Sequence, residues 1–161
     1  MNIMTEDELI VVESDNVTAD KWDVFYTSCS EYDKAHFSWG FIDRAMRNLS
    51  REVAVIGERA GFICGIPRGG QLLAIMLSHQ TGINFRSGPV RPGDILVDDI
   101  IETGNTIRTF CKMHDIKSDD VHVMSLFCSD FDKVPKGLTT HVCLEGYGHI
   151  MGRRVIFPWE I

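Results

Sequence analysis

The spacing of apolar and polar positions changes several times along the 161 residues. From Ser38 onward, Phe41, Ile42, Ala45, Met46 and Leu49 recur at helical spacing. They predict an amphipathic helix with Ser38 as its N-cap. "GFICGI" (61–66) is then apolar for the length of a buried strand. "PRGG" interrupts it, and "QLLAIMLSHQ" reads as a helix ending near Gly82. "INF" (83–85) is a second short strand, "RSGPVRPGD" (86–94) a turn-rich connection, and "ILVDD" a third strand. A helix starts near Asn105, and "VHVMSLF" and "HVCLEG" are two further strands. Residues 1–36 are acidic and irregular in pattern, with "LIVVES" (9–14) as a strand candidate and a short helix after Thr18.

Strands that alternate with helices predict an α/β domain with a mostly parallel sheet of five strands and helices on both faces. Parallel strands are buried on both sides and read as continuously apolar, as these do. Ligands of such sheets bind beyond the carboxyl ends of the strands. "PRGG" and "DDIIETGNT" both fall at such ends, so both are expected to face one cleft.

Composition narrows the classes. Apolar residues make up 44% and charged residues 24%, the balance of a globular chain with a sizeable core. The formal charge of -7 argues against non-specific nucleic-acid binding, which relies on a basic surface. No apolar run approaches the ~18 residues of a membrane span. Five widely spaced cysteines, none in CxxC spacing, suit reduced thiols in a cytoplasmic protein.

The chemistry concentrates in "ILVDDIIETGNTI" (95–107). Thr103, Gly104, Asn105 and Thr106 stand where a strand turns into a helix. A helix start offers unpaired N–H groups and the positive end of the helix dipole. Gly104 lets the backbone approach a ligand closely, and the two threonine hydroxyls add donors. That combination cradles phosphate. The carboxylates of Asp98 and Asp99 cannot do the same. They accept hydrogen bonds from hydroxyl groups, or reach a divalent cation directly or through water. Together the two halves suit a ribose 5-phosphate, with Glu102 between them as an acid or base. The same strand–turn–helix also serves many sheets purely as a helix start, so the pattern alone leaves both uses open. No GxxxxGK[ST] loop and no Rossmann fingerprint is present.

The stretch 95–107 resembles the phosphoribosyl pyrophosphate motif of the type I phosphoribosyltransferases. The match covers the apolar run, the acidic pair, two apolar residues, the acid and Thr-Gly-x-Thr. The resemblance implies that Asp98 and Asp99 hold the ribose hydroxyls and that Glu102 to Thr106 wrap the 5-phosphate. An acid at Glu102 is similar to the 6-oxopurine branch, where it assists proton transfer near the purine N7. "ICGIPRGGQLLAIMLSHQTGI" (63–83) is similar to the family's pyrophosphate loop. Pro67, Arg68, Gly69 and Gly70 would bind pyrophosphate there, and the Pro67–Arg68 peptide would be cis in at least the ligand-bound state. "RRVIFPWEI" (153–161) resembles the end of the xanthine-guanine enzymes, whose hood over residues 145–161 would bind the base through Arg154, Val155, Tyr147, Trp159 and Glu160. The likeness covers residues 37–161 and leaves 1–36 as an extension of unassigned role. It further implies Mg2+ at Asp98 and Asp99, a purine base and a nucleoside monophosphate as partners, and a homo-oligomer, dimer or tetramer.

Two features depart from the family. Its members usually carry a long mobile loop where only residues 86–94 stand here. Lid closure excludes water and completes a site, so the closure must come from another segment or subunit, or turnover is slow, or the protein only binds nucleotides. Arg154 also occupies the place of a purine-stacking tryptophan, with Tyr147 and His149 as nearby aromatic substitutes.

Overall fold

The computed structural model describes residues 24–29, 32–56, 60–128, 139–144 and 154–160. The chain divides into two compact units, one of residues 45–146 and one of residues 1–44 with 147–161.

Helix α1 (Trp39–Ile56) starts where the sequence places it. The Phe41 N–H donates to Ser38 Oγ at 3.1 Å, so Ser38 is the N-cap. Phe41, Ile42, Ala45, Met46, Leu49 and Val53 form its buried face, and Arg47, Asn48, Arg51 and Glu52 its exposed one.

The larger unit holds a parallel sheet of β3 (Ile63–Gly65), β4 (Ile95–Ile101), β5 (His122–Cys128) and β6 (Thr139–Leu144), in that spatial order. Its two other helices are α2 (Gly69–Thr81), which lies against β3 and β4, and α3 (Asn105–Met113). Cys64, Leu96 and Val123 occupy paired positions on one face of the sheet. Ile107 and Cys111 of α3 pack there with Ile66, Val90 and Val121. These strands are apolar without alternation because both faces are covered.

The expected fifth strand is reduced. "INF" makes a single parallel bridge, Ile63 to Phe85, with N–H···O bonds of 3.0 Å from Ile63 to Asn84 and 2.9 Å from Arg86 to Ile63. Gly82, in the left-handed region at φ 76°, ends α2, and the turn residues after Arg86 carry the chain away. Too few residues remain between these breaks for a ladder. Among the described residues the sheet therefore has four strands and one bridge.

The smaller unit corrects the reading of residues 24–36 as irregular. β1 (Val24–Cys29) and β2 (Tyr32–Phe37) pair antiparallel, and β7 (Arg154–Ile156) adds in parallel to β2. The expected C-terminal hood thus shares its sheet with these N-terminal residues. Ala35 and Phe37 are buried while Lys34 and His36 are half-buried, a period-two alternation too short to read with assurance. Phe37 packs on Phe41 and Phe157 at ring separations of 4.5 and 6.2 Å. The expected strand at 9–14 and the helix after Thr18 lie outside the described residues.

Residues 86–94 are fastened down by one carboxylate. Asp94 is 1% exposed. Its Oδ1 accepts from the Phe62 N–H at 2.9 Å. Its Oδ2 accepts from the Arg91 N–H at 2.8 Å and from Arg86 Nη1 at 2.9 Å. The Arg86 guanidinium lies 3.7 Å over the Phe62 ring and also donates to the Pro89 carbonyl at 3.1 Å. Cys64 Sγ approaches the same carboxylate at 3.8 Å, and burial followed by the Asp94 charge pushes that thiol up to about 11. Val90 is itself a core residue. Removing one partner of a buried ion pair leaves an uncompensated charge, here together with two backbone donors. Asp94→Ala should therefore lower the unfolding free energy by about 3–5 kcal/mol in urea denaturation.

Candidate functional site

The site grows from the carboxyl ends of β3 and β4. After Gly65 the chain passes Ile66, the exposed Pro67 and Arg68, and enters α2 at Gly69. The Pro67–Arg68 peptide is cis, as the resemblance implies. The Ile66 N–H donates to the Val97 carbonyl at 2.9 Å, which ties this turn to β4. A Cβ at Gly70 would strike the Val97 carbonyl oxygen, and one at Gly69 would strike the Asp99 carboxylate. Gly65 is equally closed in, by the backbone of Gly70 and Gln71. At Gly65 and Gly70 the clash is with backbone, so only glycine permits this approach, and "PRGG" and the acidic pair, distant in sequence, lie side by side.

Asp98 is 8% exposed. Burial first, and the neighbouring Asp99 second, push its carboxyl up to about 7, although the Asp99 N–H donates to Asp98 Oδ1 at 3.1 Å. Asp99 is half-buried, and its Oδ1 accepts from the Ile100 N–H at 2.9 Å. Beyond Ile101 the chain surfaces. Glu102, Thr103, Asn105 and Thr106 are exposed and Gly104 is buried at φ 70° as the N-cap of α3. Ile107 and Cys111 anchor that helix to the sheet.

The three helix starts differ. Ser38 caps α1, whereas no side-chain cap is formed at Arg68 for α2 or at Gly104 for α3. The Asn105 N–H makes only a 3.4 Å contact to Thr103 Oγ1. Both uncapped starts belong to the segments that the sequence assigns to anions. Each offers N–H groups and a positive dipole end to a ligand.

The remaining expected residues lie in the smaller unit. Arg154 and Val155 are in β7. Trp159 stacks on Phe157 at 4.7 Å and 5°, and its ring centroid is 5.9 Å from that of Trp39. Glu160 closes a turn, accepting from the Phe157 N–H at 2.9 Å and donating its own N–H to the Phe157 carbonyl at 3.0 Å. Tyr147 and His149 lie outside the described residues. Sequence reasoning missed Asp94 and Ser125. Asp94 sits at the end of a turn-rich segment, where an acid is ordinary. Ser125 leaves a faint signal, a hydroxyl inside the apolar run of β5.

Solved structures share this fold. The purine phosphoribosyltransferase of Pyrococcus horikoshii superimposes with a TM-score of 0.60 at 19% identity, over 80% of this chain and 95% of its own. The xanthine-guanine-hypoxanthine phosphoribosyltransferase of Helicobacter pylori gives 0.58 at 19%, over 80% and 94%. This chain has the type I phosphoribosyltransferase fold. A hypothetical protein of Neisseria gonorrhoeae with bound ppGpp is similar to this chain too, at TM-score 0.61 and 15% identity, over 83% of this chain and 92% of its own. No protein-family model and no curated protein sequence matches the chain. Among the described residues of this phosphoribosyltransferase-fold protein, no helix is long and apolar enough to cross a membrane.

The raised Asp98 carboxyl has a measurable sign. A carboxyl that titrates at 3.8 when unfolded and at about 7 when folded binds its proton more tightly in the folded chain. Its contribution to stability is full below the unfolded value, falls as pH rises across that window, and levels off above it. Asp98→Asn keeps an acceptor for the Asp99 N–H and cannot ionise. Its melting temperature relative to the wild type should rise by roughly 5 °C between pH 5 and pH 8, without added ligand.

Proposed function

We propose that this protein transfers 5-phosphoribose from phosphoribosyl pyrophosphate to a purine base of the 6-oxo class, giving a nucleoside monophosphate and pyrophosphate. The observation that carries this reading is the packing of Gly69 and Gly70 on Asp98 and Asp99. It joins an uncapped helix start to a pair of carboxylates in one polar corner. Phosphoribosyl pyrophosphate has the matching layout, a pyrophosphate on one sugar carbon and hydroxyls on the next two.

In this reading Arg68 supplies a forked charge to the leaving pyrophosphate, and the N–H groups of Gly69 and Gly70 donate to it at the turn that Pro67 shapes. Asp98 and Asp99 accept from the ribose hydroxyls. Thr103, Gly104, Asn105 and Thr106 hold the 5-phosphate at the start of α3. Glu102, exposed between the two, manages the proton of the base. Arg154, Val155, Trp159 and Glu160, with Tyr147, are assigned to the base side by resemblance. Mg2+ fits the donor set. Two adjacent carboxylates are hard oxygen donors. Such a pair suits an ion that arrives with substrate phosphates, held at Asp98 and Asp99 directly or through water. When bound, it supplies positive charge to the departing pyrophosphate. A homo-oligomer, dimer or tetramer, accompanies the proposal.

One observation favours a second reading, a nucleotide-binding regulator with little turnover. The segment at the family's lid position is nine residues long and pinned by Asp94. The ppGpp-bound Neisseria protein of similar fold is compatible with that role.

Pyrophosphate release separates the two. With phosphoribosyl pyrophosphate, Mg2+ and a panel of purine bases, the transferase reading expects release with at least one base. Tight binding without release for every base supports the regulator. Within the transferase reading, Asp99→Asn should weaken phosphoribosyl pyrophosphate binding by roughly 1.5–3 kcal/mol, the scale of a charge-assisted hydrogen bond. Glu102→Gln should lower turnover more than affinity. Unchanged binding and rate in Asp99→Asn would refute the ribose assignment.

A further inference from the structure

Ser125 is fully buried in the middle of β5, between Met124 and Leu126. A hydroxyl in such a place must find partners or destabilise the core, and an apolar residue would fill the space without that demand. Its Oγ lies 2.8 Å from the Phe127 carbonyl and 3.2 Å from the Asp99 carbonyl. A serine hydroxyl has one hydrogen, shared here between two acceptors.

Ser125 lies opposite Asp98 in the parallel pairing of β4 and β5, which runs on to Ile100 opposite Phe127. Side chains also hold the backbone of β4 here. Asp98 Oδ1 receives the Asp99 N–H, Asp99 Oδ1 receives the Ile100 N–H, and Ser125 Oγ reaches the Asp99 carbonyl. The peptide groups before and after Asp99 are therefore both held by side chains. Those two peptide planes set the direction of the Asp99 Cα–Cβ bond, and with it the carboxylate that lies against Gly69.

We propose that Ser125 is a positioning residue for Asp99, holding the following peptide so that the carboxylate meets the ribose hydroxyls of the ligand. The inference rests on the reading above in which Asp98 and Asp99 receive a ribose diol. Ser125 touches no ligand and acts through the strand.

The test uses titration calorimetry on the full chain with guanosine 5′-monophosphate and its 2′,3′-dideoxy analogue, which lacks the diol. The wild type binds the ribonucleotide more tightly. Ser125→Ala should weaken the ribonucleotide about tenfold, the scale of one hydrogen bond to a charged group, and leave the dideoxy analogue within about twofold. Ser125→Thr, which keeps the hydroxyl on a residue suited to strands, should recover most of that loss. Ser125→Ala weakening both ligands equally, or neither, overturns the proposal, as does a threonine variant no better than alanine. A wild type that binds neither ligand, or both alike, instead overturns the reading of the acidic pair beneath it.

Discussion

At Gly69 and Gly70 the backbone of α2 runs so close to β4 that one methyl group would strike the Asp99 carboxylate or the Val97 carbonyl. The contact determines what else can be built at this end of the sheet. It aims a helix dipole at the ends of β3 and β4, draws an arginine-bearing turn beside two carboxylates, and buries Asp98 enough to raise its titration. The geometry is rigid because both partners are regular elements, which hold functional groups better than loops do. The cost is a pair of like charges, kept adjacent at a place where neither is fully hydrated.

A second constraint acts a few residues upstream. Asp94 gathers Phe62, Arg86 and Arg91 around a carboxylate with almost no solvent exposure. The ion pair gives little net stability over an apolar substitute, but it imposes one conformation on the segment. A connection closed in this way behaves as part of the scaffold. On the proposed function, any motion that shields bound ligand from water would therefore come from another part of the chain or from a second copy.

The regular parts of the larger unit were legible in its sequence because its strands are buried on both faces, α3 carries a clear apolar stripe and α2 is an apolar run between Gly70 and Gly82. The Thr-Gly-Asn-Thr turn was legible as the start of a helix, since a glycine and small polar residues there break the strand and α3 begins at Asn105. Pairing was harder. "INF" has the composition of a strand, yet tertiary context leaves it a single bridge. β1 and β2 carry too short an alternation to separate from an acidic tail, and their union with β7 is a long-range event that no local pattern encodes. The roles of Asp94 and Ser125 were hidden in the same way. Each acts on residues dozens of positions away or on a neighbouring strand, through bonds that exist only once the sheet has formed.

The unequal helix starts bear on any attempt to make this protein more robust. Stabilising substitutions are commonly found by filling glycines and adding N-caps. Applied to α2 and α3, that recipe would place a side-chain oxygen on the N–H groups a phosphate would otherwise meet, or a Cβ against Asp99. On the proposed function, heat selection of empty protein would therefore drift toward sturdier chains with occluded binding corners. Selection with a nucleotide present would protect those same glycines, because there the ligand itself would act as the cap.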